Sequence, residues 1–310
     1  MDVMITGGAG FIGTNLVRRL AENEAIDSIR IFDDFSTGFR TDYASSKVSV
    51  IEGDLRDSAA VRAAVKGADA IVHLGALPSV PRSIKDPLST NGVNVLGTLH
   101  VLEAAREFGV EQVISASSSS VYGANPTLPK HEDLATLPLS PYAVSKLATE
   151  AYTNAYASSF GLRTIAFRFF NVFGPLQRAD HAYAAVIPRF VAAIKEGRPL
   201  IVYGDGSQTR DFTSVHSVTH AIEKSLIERI EHSTPVNLAF GSRTSLNELI
   251  RMLEEIHGAP ISVERTDQRV GDVPHSQASS ELINRLVPDV FRPTLRDALA
   301  EVYDWYGADQ

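Results

Sequence analysis

Thr6-Gly7-Gly8-Ala9-Gly10-Phe11-Ile12-Gly13 decides the fold of this chain. The stretch follows a short apolar run at residues 3–6 and opens a helical pattern at residues 11–23. Glycines let the backbone turn tightly from strand to helix and approach a pyrophosphate. The N–H groups at the start of the helix then meet its negative charge. Gly7, Gly10 and Gly13 are therefore predicted to cradle a dinucleotide. Asp33 ends the second predicted strand, 20 residues after Gly13. A carboxylate there hydrogen-bonds ribose hydroxyls and repels a 2′-phosphate, so NAD is predicted rather than NADP. Asp34 strengthens that preference.

Working outward, residues 3–6, 28–32, 48–51, 70–74, 112–116 and 163–167 read as strands. They are short, β-branched and apolar on both faces, as a buried parallel sheet requires. Residues 11–23, 58–66, 87–108 and 142–160 read as helices between them. Repeated β-α units predict an α/β fold with a doubly wound parallel Rossmann sheet. From about residue 174 the loops lengthen and prolines punctuate the chain. Residues 1–173 are predicted to form the NAD-binding domain. Residues 174–310 are predicted to form a smaller α/β substrate lobe, with no linker that would bar it from interleaving with the first. Short strands are predicted in this lobe, among them Leu200–Tyr203 and 235–239, together with the helix Leu246–His257.

The chain has 310 residues, 44% hydrophobic and 21% charged, which is ordinary globular composition. It has no apolar run long enough to span a bilayer, and no basic region followed by an apolar signal segment near its start. With zero cysteines, disulfides and thiolate chemistry are excluded, and a cytoplasmic setting is predicted. A net charge of −8 without a basic stripe argues against nucleic acid. The nine histidines show no metal-ligand spacing, so no metal is predicted.

The chemistry is predicted at Ser140-Pro141-Tyr142-Ala143-Val144-Ser145-Lys146. A tyrosine four residues before a lysine on a helix shares its face. A phenol with a pKa of about 10 is a poor base at neutral pH. A neighbouring ammonium favours the phenolate, so the pair reads as a tuned proton acceptor. Alone, the same pair would suit an exposed helix surface. Asp54, after the third strand, is placed to accept from an adenine amino group or to cap the following helix. His73 is read as structural.

Together these motifs resemble the extended short-chain dehydrogenase/reductases, and among them the nucleotide-sugar epimerases. The resemblance rests on Gly7 to Gly13, Asp33, Gly53-Asp54, Ser117 to Gly123, Tyr142 with Lys146, Phe169 to Pro175, and Gln208-Thr209-Arg210-Asp211-Phe212. It implies Ser118, Tyr142 and Lys146 as the catalytic set, with Ser118 holding the substrate hydroxyl beside the tyrosine. It extends the NAD contacts to Phe11, Ile12, Asp34, Ser36, Thr37 and Gly38. It adds Leu55, Leu74, Gly75, Ala76, Asn94 and Phe169. Ser119 and Ser120 stand where related dehydratases carry an Asp-Glu pair. Two serines supply neither the acid nor the base that dehydration needs, which favours epimerisation at C4 through a transient 4-keto sugar.

The resemblance also places a UDP-sugar between the lobes. Asn171 and Arg210 are implied as diphosphate or sugar contacts, and the guanidinium fork suits phosphate. Arg269 and Asp272 match diphosphate and ribose contacts, and Tyr203 packs on the base. Ser276 matches a gate beside the sugar C2 substituent, where a small residue admits an N-acetyl group. Ser79, Ser83, Ser119 and Val186 complete the implied substrate set, with Ser83 and Gln177 equally suited to exposed loops. UDP-glucuronate 4-epimerases are the alternative, and a non-catalytic NAD-binding regulator is a more distant one. The helices at 87–108 and 142–160 would pair across a homodimer interface in such relatives. Ordinary core packing would explain the small residues Ala143, Ala148, Ala151 and Ala155 equally well.

Overall fold

The computed structural model describes residues 1–41, 43–180, 184–267 and 275–307. Six parallel strands, β1 (Asp2–Thr6), β2 (Ser28–Asp33), β3 (Val48–Glu52), β4 (Ala70–His73), β5 (Gln112–Ser118) and β6 (Arg163–Phe169), are connected through helices except for a loop between β2 and β3. Their order is β6, β5, β4, β1, β2, β3. A seventh strand, Val236–Leu238, pairs parallel with β6 at the far edge. Within β1, Val3 and Ile5 point into one core and Met4 into the other, as strand alternation dictates. Strand order reverses between β1 and β4, and there a crevice opens at the carboxyl ends of the strands.

The helices are α1 (Phe11–Ala21), α2 (Ser58–Val65), α3 (Val80–Lys85), α4 (Pro87–Asn91), α5 (Gly97–Phe108) and α6 (Pro141–Phe160). On one face of the sheet, Leu16, Val17 and Leu20 of α1 pack with Val218 and Ile222 of the helix Val215–Ile227. On the other, Val61 and Val65 of α2 pack with Val101 and Leu102 of α5 and Tyr156 of α6. The helix predicted over 87–108 is not continuous: a π-helical turn, Gly92–Leu96, separates α4 from α5. Asn94 in that turn accepts from Leu77 N at 2.8 Å and donates to Ser145 Oγ at 2.9 Å. Its carbonyl accepts from the hydroxyls of Thr98 and Thr149. Tertiary partners thus hold the widened turn, which propensity alone does not favour.

A third core gathers the helices Val186–Lys195, Leu246–His257 and Leu295–Trp305 around the paired strands Leu200–Tyr203 and Val263–Thr266. Residues 174–310 do not stay with this core. The helix Val215–Ile227 and the strand Val236–Leu238 return to the first sheet before Leu246–His257 goes back. Asp211 staples the crossing loops: its buried carboxylate accepts from Gly241 N, Ser242 N, Ser242 Oγ and Ala278 N. Burial pushes that carboxyl's pKa up, and those hydrogen bonds oppose the shift. Asp211 is therefore an internal anchor. Among the described residues, no helix is long and apolar enough to cross a membrane, and no cluster of His, Cys, Asp or Glu could hold a metal ion.

Candidate active site

A cleft of about 440 Å³ runs along the carboxyl edge of the sheet. One end is formed by the glycine turn. A Cβ at Gly7 would lie 2.6 Å from Gly75 N, and one at Gly13 would lie 2.2 Å from Gly7 O. No side chain could stand at either position without moving backbone, so the turn from β1 into α1 is closed by contact. Gly10 takes the N-cap position of α1 and no side chain caps it, which leaves the first turn's N–H groups for an anion. Gly7, Gly10, Phe11, Ile12 and Gly13 all line the cleft.

Asp33 stands at the end of β2, with Oδ2 accepting from Ala9 N at 3.0 Å and Oδ1 from Phe35 N at 2.9 Å. Burial raises its pKa and these two N–H groups hold it down. Asp34, Ser36 and Thr37 line the cleft beside it. Gly38 is not in the wall; it packs on the glycine turn, where a Cβ would meet Ala9 O at 2.7 Å. Asp54 and Leu55 line the opposite wall. Asp54 is bound by the Arg56 side chain, and that guanidinium lowers its pKa. It does not cap α2; Asp57 does, accepting from Ala59 N and Ala60 N. Leu74, Gly75, Ala76 and Phe169 complete the floor. The glycine cradle, the fixed carboxylate and the elongated shape fit a nicotinamide dinucleotide. Asn94 is not in the wall; it braces the Leu77 segment, which is, against α6.

At the other end the structure brings together Ser118, Tyr142 and Lys146. Ser118 is the last residue of β5. Its Oγ accepts from Ser120 N at 3.2 Å, which leaves its own proton to donate. It hydrogen-bonds Tyr142, favouring the phenolate, while burial pushes the phenol above its usual range. Lys146 is 5% exposed and donates to Ala116 O at 2.9 Å. Burial lowers its pKa to about 8. Ser140 caps α6 by accepting from Ala143 N, and Ser83 accepts from Tyr142 N at 3.0 Å. Ser83 is fully buried and also donates to Val80 O, so it seats the tyrosine and faces no solvent. His73 lies between Thr6 and Thr98, within 2.7 and 3.0 Å of their hydroxyls. Burial holds it neutral with a pKa of about 3.

The predicted substrate positions divide. Asn171 lines the cleft with a φ of 36° and donates to Asp211 O at 3.1 Å. Gln177 lines it too, with Oε1 buried and without a partner. Ser79 caps α3 through Arg82 N, and Ser119 begins the 3₁₀ turn after β5. Val186 starts its helix beside Ala185, which is in the wall. Arg210 and Ser276 are neighbours by backbone, since Ser276 N donates to Thr209 O at 3.0 Å. Tyr203 ends its strand. None of these last six is in the wall. Arg269 and Asp272 lie outside the described residues. The sequence reading missed Phe39, Leu176 and Arg178, which also line the cleft. Phe39 and Arg178 come from different loops and stack at 4.9 Å, a contact no sequence spacing encodes. It also missed Glu150 and Arg168, side chains of opposite charge buried between α6 and β6.

The sequence pattern of the NAD dependent epimerase/dehydratase family matches residues 3–239. The UDP-glucose 4-epimerase of Mycolicibacterium smegmatis is 33% identical over 320 residues, covering 99% of this chain and 98% of its own. The UDP-N-acetylglucosamine 4-epimerase from Methanobrevibacter ruminantium, solved with UDP-N-acetylmuramic acid, is 34% identical with a TM-score of 0.94, covering 100% and 99% of the two chains. MoeE5, solved with UDP-glucuronic acid and NAD, is 35% identical with a TM-score of 0.86, covering 98% of each chain. With the glycine turn, the placed carboxylate and the Ser-Tyr-Lys end of the cleft, these likenesses put the chain in the NAD-dependent epimerase/dehydratase family as an NAD-dependent enzyme.

Proposed function

We propose that this protein interconverts UDP-hexoses at C4, taking UDP-N-acetylglucosamine and its epimer as well as UDP-glucose and UDP-galactose. The observation that carries this reading is the Ser118–Tyr142–Lys146 set at one end of a cleft whose other end suits a dinucleotide. Tyr142, as phenolate, takes the proton of the sugar 4-hydroxyl. Ser118 holds that oxygen and shares the proton. The Lys146 charge favours the phenolate and orients the nicotinamide ribose. Bound NAD supplies reversible hydride acceptance. Because the hydride and the proton both return, no external oxidant is consumed.

Dehydration is disfavoured by the charge distribution. Among the described residues the acids in the cleft wall are Asp33, Asp34 and Asp54, all at the adenosine end. Ser119 and Ser120 bring no carboxylate to the tyrosine. Asn171, Arg210, Arg269, Asp272 and Tyr203 are proposed to bind the UDP moiety, and Ser276 to admit the N-acetyl group. A cytoplasmic setting is part of the same reading, since nucleotide sugars are cytoplasmic metabolites and the chain has no cysteine.

We also propose a homodimer through α3, α4 and α6. Ile84, Leu88, Leu96, Val144, Tyr152 and Phe160 are exposed on this side, with Leu88 at 84% and Ile84 at 65%. On α6, Val144, Ala148, Ala151 and Tyr152 recur at helical spacing away from the core. An apolar stripe of this kind fits a second copy of the same helices.

The test is direct. Purified protein given UDP-N-acetylglucosamine, without oxidant, should reach a mixture with its C4 epimer. The Tyr142→Phe variant should keep NAD and lose orders of magnitude in rate. No turnover on a panel of UDP-hexoses and UDP-glucuronate would remove the reading. In Ser276→Tyr, N-acetylated sugars should fail first; equal loss on plain and N-acetylated sugars would remove the gate.

A further inference from the structure

Helix α6 has an unusual inner face. Lys146, Thr149, Glu150 and Thr153 follow one another at i, i+3, i+4 and i+7, all at most 5% exposed. A helix packed on a sheet normally turns an apolar stripe inward. Here the stripe is polar, and three of its four groups are bonded to the strand beneath, while Thr149 bonds Asn94 O in the π-helical turn. Thr153 Oγ1 donates to Ser115 Oγ at 3.0 Å, Ser117 Oγ donates to Glu150 Oε2 at 2.6 Å, and Lys146 Nζ donates to Ala116 O.

Glu150 is held from a third element as well. Arg168 of β6 grips it through Nε at 3.0 Å and Nη2 at 2.6 Å, a bidentate pair with side chains 4% and 3% exposed. The guanidinium lies 4.7 Å over the ring of Tyr122, whose hydroxyl donates to Asn237 Oδ1 at 2.7 Å. A buried ion pair contributes little net stability compared with apolar residues of the same volume, because desolvation offsets the attraction. It does enforce direction, since both partners lose heavily if either moves.

We infer that the Glu150–Arg168 pair is a positioning device that sets Lys146 against Tyr142 and Ser118. The inference rests on the proton-transfer role given to those three residues above. The pair ties together the elements that carry them: α6 holds Tyr142 and Lys146, β5 ends on Ser118, and β6 ends on Phe169 in the cleft floor. Ser117 is the hinge. Its hydroxyl lies 2.6 Å from Glu150 Oε2 and 3.3 Å from Lys146 O, one residue before Ser118 and one turn from Lys146. A helix face of leucines could slide or rotate by a fraction of a turn at low cost. This face cannot, because each bond is directional. Neither Glu150 nor Arg168 is in the cleft wall, so the pair acts through the residues it holds.

The experiment uses the NAD-loaded protein and the paired variant Glu150→Met/Arg168→Met, which removes both charges at similar volume. The expected protein is folded, retains NAD, and keeps KM for the UDP-sugar within about twofold. Its kcat falls about ten- to a hundredfold. The acid limb of its kcat profile moves up by about one pH unit, because Tyr142 has lost the steady proximity of the ammonium. A second readout needs no turnover: a tyrosinate difference titration, with Tyr142→Phe as the blank, should show the same upward shift in the paired variant. It separates failure of this inference from failure of the substrate assignment. Should the paired variant not fold, Ser117→Ala cuts only the hinge and should move the titration in the same direction. A folded variant with unchanged kcat and unchanged Tyr142 titration overturns the inference.

Discussion

Two opposed shifts meet at Tyr142. Burial raises its pKa, and the Ser118 hydroxyl lowers it. In the proposed mechanism the phenolate needs a cation close by, and Lys146 would supply one only while protonated. Burial brings the lysine down to about 8. The sign of the pH dependence follows. As pH rises through neutrality, the phenolate fraction and the rate rise together. Above about 8 the ammonium loses its proton, its support for the phenolate disappears, and the rise in kcat levels off. A kcat profile should break near the lysine pKa, and a profile rising without a break to pH 10 would contradict this role. The pairing of Tyr142 with Lys146 was legible in the sequence because i,i+4 spacing fixes a shared helix face. The role of Ser83 was not. Its position suits a sugar contact or an exposed loop equally in the sequence, and its buried hydroxyl donates to Val80 O and accepts from Tyr142 N.

At the scale of elements, the β1–α1 turn has the least tolerance. A Cβ at Gly13 would fall 2.2 Å from Gly7 O and 2.6 Å from Gly8 Cα, both backbone. Gly13→Ala must therefore open the turn that approaches the pyrophosphate. The expected result is protein purified with little NAD and destabilised by about 1–3 kcal/mol, the usual cost of overpacking. Absorbance ratios and urea unfolding would measure the two effects; normal NAD content would show the turn to be more compliant than it looks. The strands and the first helices were legible because their apolar period is local. The break at Gly92–Leu96 was not, because it is held by Leu77, Ser145 and Thr149. Asp57 rather than Asp54 caps α2 for a related reason: two acids three residues apart both suit a cap, and the Arg56 side chain engages Asp54.

On the scale of the whole molecule, the apolar side formed by α3, α4 and α6 has the strongest consequence. Val144 is 52% exposed at the start of the α6 stripe. Val144→Glu would place a charge against its symmetry mate in a two-fold interface, where like charges must be desolvated together. Sedimentation velocity should show a dimer for the wild-type protein and a monomer for the variant. A wild-type monomer at micromolar concentration would remove the dimer. α6 also carries Tyr142 and Lys146 on its inner side, so an interface there would press the catalytic helix from outside while the Glu150–Arg168 pair holds it from within.

Sequence alone determined the doubly wound sheet, the dinucleotide turn, the acid that suits NAD, and the Tyr-Lys pair. Each is a local pattern in which spacing fixes geometry: period two or 3.6 for an element, glycines for a turn, four residues for a helix face. Only the tertiary structure decided where the chain crosses itself, so that Val236–Leu238 joins the first sheet while Leu246–His257 belongs to the third core. It also decided that Phe39 meets Arg178 across the cleft and that Glu150 meets Arg168 beneath the catalytic helix. Those contacts join different elements and are encoded in no local spacing, because they exist only once the fold has brought the elements together.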